Sequence, residues 1–141
     1  MEAIAEMEEM KIFTQQFGEL TVKPEHVFEF EEGLLGFEDL RQFVLISEEE
    51  TLPFRWLVSL ENPDIGFPLL SPWHIDLRYN PGKEHDMSRE VIMVVITLED
   101  EKGLMTANMK APLILDVKSQ SGRQVILPSD KYSPSYVIPR K

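Results

Sequence analysis

Val91–Leu98, with the sequence VIMVVITL, is the stretch that decides the fold. It is apolar at every position except Thr97, and it is rich in β-branched residues, which pack well on a pleated sheet. An apolar run of this length without polar alternation is typical of a strand buried on both faces. The sequence therefore predicts a central strand here, with other strands around it.

Shorter runs on both sides alternate between apolar and polar residues, the period of a strand with one solvent-exposed face. The predicted strands of this kind are Leu20–Lys23, Val27–Phe30, Phe54–Leu60 and Trp73–Tyr79. Two more predicted strands, Leu113–Val117 and Gln124–Leu127, flank a hairpin bend at Ser121–Gly122. A short helix is predicted at Glu38–Phe43, after Gly36.

Short strands separated by frequent turns predict an all-β fold, mainly antiparallel, in the form of a small barrel or sandwich with at most one or two short helices. The connections are too short for the crossovers that parallel strands need. The length of 141 residues fits one domain, which we expect to span residues 11–141. Residues 1–10 have only a weak helical pattern, so we expect a flexible N-terminal extension.

The charge of the chain is concentrated in its first part. Residues 1–50 carry 14 acidic and 3 basic side chains, whereas residues 51–141 carry 11 of each, and the net charge is −11. Phosphate backbones are bound largely through clustered Lys and Arg, so this balance argues against direct nucleic-acid binding. It suits contact with a basic protein, or repulsion of RNA from such a protein, although solubility alone is the simpler interpretation.

Several classes of protein are disfavoured by composition and motifs. The chain has no cysteine, which excludes thiol catalysis, disulfides and zinc sites with sulfur ligands. Its seven glycines form no phosphate-binding loop, and we expect no cofactor. No uncharged apolar run reaches the roughly 20 residues of a membrane helix. The acidic start is opposite to the basic start of a secretory signal, so we expect a cytoplasmic protein.

Two alternatives to a protein-binding role follow from single side chains. His74 and Asp76 would share a strand face close to His85, which leaves open a metal-dependent hydrolase, although a solvated strand face explains these residues more simply. Trp56 or Trp73 offers a stacking platform, which leaves open a β-barrel that binds a small ligand such as a carbohydrate. Tryptophans buried in the core would argue against that barrel. The residues otherwise indicate a domain without catalytic or metal-binding groups.

Three segments resemble conserved blocks of the FliW flagellar assembly factors. Phe28–Phe43, FEFEEGLLGFEDLRQF, is similar to the F..GL.GF..L..F block, and Phe54–Pro72, FRWLVSLENPDIGFPLLSP, to the f.wL.Sl.nP...F.l..P block. The third block, T.NL.aPi.iN…..Q.il, is matched by Thr106–Val117, TANMKAPLILDV, followed by Gly122–Leu127, GRQVIL. The resemblance spans about residues 11–138 in order. Two departures are Leu35, where the family often has proline, and Asp116, where asparagine is usual.

The resemblance implies a monomeric, barrel-like β protein without enzymatic activity. It implies two cytoplasmic partners, newly made flagellin and CsrA, a small RNA-binding homodimer that represses flagellin translation. In that scheme FliW antagonises CsrA without occupying its RNA surface, and flagellin competes for FliW. The level of flagellin is thereby coupled to its own translation.

The partner-binding residues that we predict lie in three segments of these blocks. They are Glu29, Glu31, Glu32, Gly33, Leu34, Leu35, Gly36 and Phe37 in the first, Asn62 and Asp64 in the second, and Asn108 and Lys110 in the third. Each segment also has a purely structural interpretation. The Gly33–Phe37 loop fits a tight turn with leucines tucked inward, Asn62 and Asp64 fit turn capping, and Asn108 could satisfy a strand-edge backbone group.

An electrostatic mechanism follows from the charge distribution and the resemblance together. An acidic face docked beside the RNA groove of CsrA would lower its affinity for RNA through repulsion. The acidic residues predicted to contribute are Glu25, Glu29, Glu31, Glu32, Glu38 and Asp39. Neutralising several of them is expected to weaken the antagonism.

Overall fold

Eleven strands, one short helix and two 3-10 turns make up the secondary structure of residues 10–139, the part of the chain that the computed structural model describes. The strands are β1 (Met10–Thr14), β2 (Gly18–Val22), β3 (Val27–Phe30), β4 (Gln42–Ile46), β5 (Arg55–Ser59), β6 (Gly66–Leu70), β7 (Glu90–Thr97), β8 (Thr106–Ala107), β9 (Leu113–Asp116), β10 (Ser121–Gln124) and β11 (Tyr136–Val137). Helix α1 (Pro72–Ile75) follows β6, and the 3-10 turns span Pro24–His26 and Glu49–Thr51.

Seven of the strands close into a barrel in the order β7–β6–β5–β4–β3–β10–β9. The barrel closes because β9 pairs with the first half of β7, from Glu90 opposite Asp116 to Met93 opposite Leu113. The second half of β7 pairs with β8, which in turn pairs with β11. The predicted central strand is thus confirmed, since β7 pairs with β6, β8 and β9 and its residues 92–94 are buried.

The sheet is mixed at one seam only. In β10, Ser121 and Gly122 lie beside Glu29 and Phe30 of β3, and these two strands run parallel. Every other strand pair within residues 10–139 is antiparallel. The predicted class, an all-β and mainly antiparallel barrel, is confirmed. The expectation that no crossover occurs is wrong at this seam, because the chain passes through six other strands before β10 returns to β3.

The apolar side chains form one cluster inside the barrel and two on its outer surface. Phe30, Phe43, Leu57 and Leu113 belong to the inner cluster, and none of them is exposed. On one outer side the β1–β2 hairpin covers the sheet, where Val22 packs with Val44, Trp56 and Val58. On the other outer side the segment after α1 packs against β7 and β8.

This hairpin cover corrects the prediction for Phe54–Leu60. A strand with one wet face was expected there, but both faces of β5 are buried. Leu57 points into the barrel, and Trp56 and Val58 pack beneath the hairpin. Successive side chains of β5 do point to opposite faces of the sheet, but both faces are covered by apolar residues and neither is exposed to water.

Two element predictions are wrong, because a proline begins a helix in one segment and a turn followed by a strand replaces the predicted helix in the other. Residues 73–79 are not a strand, because helix α1 begins at Pro72. The fixed φ of proline suits the first position of a helix. Asp76 N–H donates to Pro72 O at 2.9 Å. Glu38–Phe43 is not a helix. A turn in which Leu40 N–H donates to Phe37 O leads directly into β4, where Phe43 lies opposite Phe28 and Ser59.

The hairpin bend lies earlier than predicted. Ser121 and Gly122 belong to β10, and the turn is formed by residues 117–120, with Gln120 in the left-handed region at φ 54°. The Gln120 side chain fixes this turn to the neighbouring strand, because Nε2 donates to the carbonyls of Pro24 and Val27 at 2.6 and 2.9 Å.

The flexible N-terminal extension expected for residues 1–10 stays a prediction. Strand β1 begins at Met10, and residues 1–9, on which the predicted flexible extension rests, lie outside the described residues. Within residues 10–139, no helix is long and apolar enough to cross a membrane.

Candidate functional site

A groove with a volume of about 770 Å³ opens along the parallel seam, at the rim where β3 ends. It is lined by Glu29, Glu31, Glu32, Gly33, Leu34, Leu35, Glu38, Ser121, Gly122, Arg123 and Gln124. The structure therefore brings most of the first predicted segment together with β10, a strand that the sequence did not associate with it.

A closed turn shapes the loop at the groove. Gly33 N–H donates to Phe30 O at 3.0 Å, and Phe37 N–H donates to Leu34 O at 2.7 Å. Gly33 has φ 67°, and a Cβ on it would lie within 2.7 Å of the backbone of Phe37 and Glu38. Only glycine fits such a position. The tight turn predicted for this loop is confirmed.

The two leucines of the loop point in opposite directions. Leu34 is 3% exposed and joins the inner cluster, as predicted, whereas Leu35 is 52% exposed at the tip of the turn, which corrects the prediction that both are tucked inward. Phe37 is also exposed, at 38%, although its ring packs edge-on against Phe67, with 5.1 Å between the ring centroids. Leu35 is thus the most exposed apolar side chain of the loop.

The groove has an excess of negative charge. The carboxylates of Glu29, Glu31 and Glu32 are exposed, and none of them takes part in a hydrogen bond or ion pair with any residue from 10 to 139. Glu38 Oε2 accepts a hydrogen bond from Gly36 N–H at 3.1 Å, so this fourth carboxylate also supports the loop. Arg123 contributes one positive charge, and its Nη1 lies 3.4 Å from Oε2 of Glu90.

The acidic side chains between positions 10 and 50 do not all lie at the groove. Glu25 precedes β3, whereas the groove acids lie in β3 or follow it. Residues 48–50 follow β4, which begins at the groove rim with Gln42 opposite Glu29 and runs away from it. The acidic side chains described in this part of the chain are thus divided between the two ends of the barrel, and Glu25, one of the six residues predicted for the acidic face, lies outside the groove.

Asn62 and Asp64 lie in the β5–β6 turn, outside the groove. Asn62 Oδ1 accepts a hydrogen bond from Asp64 N–H at 3.3 Å, and Asn62 N–H donates to Ser59 Oγ at 2.9 Å. This is the turn capping given as their structural interpretation. The neighbouring Glu61 carboxylate accepts hydrogen bonds from the backbone N–H groups of Arg41 and Gln42, which ties this turn to the end of the groove loop.

Asn108 and Lys110 also lie outside the groove and have structural contacts. Asn108 Oδ1 accepts a hydrogen bond from Ala111 N–H at 3.0 Å, which is the backbone role considered for it. Lys110 Nζ donates to Ser129 O at 2.9 Å.

Gln124 connects this segment to the groove loop. Its Oε1 accepts a hydrogen bond from Leu35 N–H at 2.8 Å, and its Nε2 donates to Ala111 O at 3.1 Å. Gln124 and its β10 neighbours were not among the predicted site residues. The signal available was the GRQVIL block, which contains three of them, but a strand pattern does not show which loop a side chain will reach.

The alternatives based on single side chains find no support in the geometry. Among residues 10–139, no three His, Asp or Glu side chains are grouped to hold a metal ion, so His74, Asp76 and His85 do not converge. Trp56 is buried, and its Nε1 donates to Thr51 Oγ1 at 3.0 Å. Trp73 is partly buried, and its Nε1 donates to Tyr79 O at 2.9 Å. Neither tryptophan forms an exposed stacking platform.

A polar cluster outside the groove lies where β7 pairs with β9. Arg89 Nε donates to Asp116 Oδ2 at 2.9 Å, and the other carboxylate oxygen accepts the N–H groups of Lys118 and Ser119 at 3.0 Å. Hydrogen bonds from Ser119 and Arg89 lower the pKa of Asp116 from 3.8 to about 2. Asp116 thus has a cationic partner in Arg89.

Together, the fold and the groove define a small closed β-barrel of mainly antiparallel strands with an acidic groove and an exposed leucine at one rim.

Comparison with known proteins identifies the family. The model of the family described as FliW protein matches residues 11–138. The flagellar assembly factor FliW of Thermoanaerobacter pseudethanolicus is 38% identical over 133 residues, which cover 87% of this chain and 89% of that protein. The FliW of Thermotoga maritima is 31% identical over 137 residues, covering 90% and 92%. A crystal structure of the flagellar assembly factor FliW superposes with a TM-score of 0.82 at 29% identity, covering 94% of this chain and 99% of that one. The chain belongs to the FliW family.

Proposed function

We propose that this protein is a flagellar assembly factor that binds the translational repressor CsrA and, in competition with it, flagellin. In this proposal the protein does not bind RNA directly, uses no cofactor and catalyses no reaction. Membership in the FliW family supports the flagellar role. The two partners follow from the resemblance of the sequence to that family, and the groove supplies a surface suited to a basic partner.

The observation that carries the proposal is the set of carboxylates beside Leu35 that have no partner among residues 10–139. Glu29, Glu31 and Glu32 are exposed on a rim that the Gly33–Phe37 turn holds in shape. Charged groups that already have a partner in the free protein gain little from a new one. Unpaired carboxylates on a rigid surface can attract cationic side chains without losing internal contacts.

The same charges explain how this protein lowers the affinity of CsrA for RNA without occupying the RNA-binding site of CsrA. A carboxylate-rich rim docked beside a phosphate-binding surface lowers the affinity for phosphate by repulsion. A coupling free energy of about 1–3 kcal/mol changes affinity by a factor of roughly 5–150. When flagellin occupies the protein, CsrA is released and translation is repressed again. This cycle requires all components to share the cytoplasm.

A calorimetric titration of the purified full chain with purified CsrA tests the proposal. We expect saturable binding, and a labelled flagellin leader RNA should be displaced from CsrA as the chain is added. Purified flagellin, added to the preformed complex, should restore RNA binding. A labelled RNA that lacks the CsrA-binding motif serves as the control, because its signal should change neither with CsrA nor with the added chain. Absence of binding to both CsrA and flagellin at micromolar concentrations would overturn the proposal.

A further inference from the structure

Gln124 makes two hydrogen bonds that cross the groove rim. Its amide oxygen accepts a hydrogen bond from Leu35 N–H at 2.8 Å, and its amide nitrogen donates to Ala111 O at 3.1 Å. Leu35 is 89 positions away in sequence and lies at the exposed tip of the groove loop. One half-buried side chain therefore joins the loop tip to the Asn108–Ala111 segment.

We propose that Gln124 is a positioning residue that holds Leu35 outward as the apolar contact for a protein partner. The inference rests on the proposed function, because it assigns the partner contact within that same groove. The fitting partner segment carries an apolar side chain flanked by Lys or Arg. The apolar side chain contacts Leu35, and the cations face Glu31 and Glu32.

The loop does not need Gln124 in order to close. Its base is held by the hydrogen bonds between Leu34 and Phe37, by that of Gly33 to Phe30, and by the packing of Leu34 in the inner cluster. At the tip, Leu35 N–H has its acceptor in the side chain of Gln124. Loss of that acceptor removes the restraint on Leu35 and leaves the base and the hydrogen bond from Gly36 N–H to Glu38 intact.

Freedom at the tip weakens binding without any loss of contact surface. A partner that binds Leu35 must then order the tip, and ordering a loop or side chain on binding lowers affinity. Leucine at position 35 keeps its N–H and, unlike proline, does not restrict the backbone through a ring. In this chain the Gln124 hydrogen bond supplies the restriction that leucine lacks.

Two substitutions separate positioning from mere presence of the side chain. Gln124→Met keeps the length of the side chain and removes both hydrogen bonds. Gln124→Glu keeps the acceptor for Leu35 N–H and removes the donor to Ala111 O. Amide hydrogen exchange at Leu35 reports the tip directly. We expect exchange about fivefold faster in Gln124→Met, the size of effect of one net hydrogen bond, and close to wild type in Gln124→Glu.

A double-mutant cycle with Leu35→Ala links the tip to binding of CsrA. We expect Gln124→Met to weaken the affinity about fivefold in the wild-type background and by less than about twofold in the Leu35→Ala background. Thermal unfolding of each variant checks that the barrel is intact. If Gln124→Met does not fold, the Leu35 exchange rate is measured in Gln124→Glu, where the proposal requires a near-wild-type value and clearly faster exchange overturns it.

The outcomes are distinct for the two proposals. Unchanged Leu35 exchange in Gln124→Met overturns the positioning role, as does an equal loss of affinity in both backgrounds. If the wild-type chain binds neither CsrA nor flagellin, the proposed function fails. In that case a fivefold change in Leu35 exchange still supports Gln124 as the residue that holds the tip, and an unchanged rate rejects it.

Discussion

Gly122 leaves room for the ring of Phe30 at the seam between β3 and β10. It lies beside Phe30 in the parallel seam, and a Cβ on it would overlap three carbons of that fully buried ring, the farthest of them 2.7 Å away. We expect Gly122→Ala to lower the free energy of unfolding by about 1–3 kcal/mol, because the ring must move within a packed core. Urea denaturation followed by circular dichroism measures it.

Gly66→Ala is the matched control, since Gly66 is also a strand glycine without positive φ and a Cβ there meets Val58 at an ordinary 3.4 Å. Its effect should stay within about 1 kcal/mol. Equal effects of the two substitutions would mean that Phe30 does not pack on the backbone of Gly122.

Asp116 should make stability depend on pH in the acid range. Its pKa in the folded protein is about 2, below the ordinary 3.8, so its contribution is present above pH 4 and is lost as the pH falls towards 2. Asp116→Asn retains an oxygen for the turn but loses the charge that faces Arg89. We expect the variant to be less stable than wild type at pH 7, with a difference that shrinks below pH 4. Urea denaturation at several pH values measures this.

Asp39→Asn provides the comparison, because the Asp39 carboxylate is exposed and contacts no cation in the described range of residues 10–139. Its stability difference from wild type should be small at every pH. A difference between Asp116→Asn and wild type that stayed constant down to pH 2 would contradict the assignment of the low pKa to this carboxylate.

At the scale of elements, the sequence was informative where burial alone decides the strand. VIMVVITL is apolar enough to specify β7 in any arrangement, and the alternation in Val27–Phe30 matches β3, with Phe28 and Phe30 inside. The sequence pattern was misleading where the burial of one face of a strand depends on residues far away in the chain. The outer face of β5 is covered by a hairpin more than 30 positions away, and no local pattern reports that cover.

Packing of the β1–β2 hairpin on β5 should be measurable at Val22. This side chain is 2% exposed and contacts the cluster around Trp56, whereas Thr21 points to solvent. We expect Val22→Ala to cost on the order of 1–3 kcal/mol in unfolding free energy, and Thr21→Ala to stay within about 0.5 kcal/mol. Fluorescence gives a second measurement, because a loosened hairpin exposes Trp56 and shifts its emission to the red.

Comparison of Val22→Ala with Thr21→Ala can also contradict the packing of the hairpin on β5. Equal stabilities would show that the hairpin is not held on the sheet by Val22. A destabilised Val22→Ala with unchanged tryptophan emission would place the lost contact away from Trp56.

At the scale of the whole molecule, the sequence predicted the loop of the candidate site but not its surroundings. The Gly-Leu-Leu-Gly spacing indicated a tight turn, which the structure contains. That Leu34 turns in while Leu35 turns out, and that β10 forms the other wall, depends on the parallel return of a strand about 90 residues later. The total charge was readable from the sequence, but the direction of β4 is needed to see that Glu48, Glu49 and Glu50 lie away from the groove acids.

This division of charge leads to a prediction about salt. If the groove acids steer a basic partner, the triple substitution of Glu29, Glu31 and Glu32 to Gln should lower both the association rate with CsrA and its dependence on ionic strength. The reason is that exposed charges act over a screening length of about 10 Å at 0.1 M salt. Replacing Glu48, Glu49 and Glu50 with Gln removes the same charge from the far end of β4 and should leave both quantities close to wild type. Stopped-flow association between 0.05 and 0.5 M salt separates the two cases. A common salt dependence for both triple variants would mean that net charge alone governs the encounter, and that the groove has no special part in it.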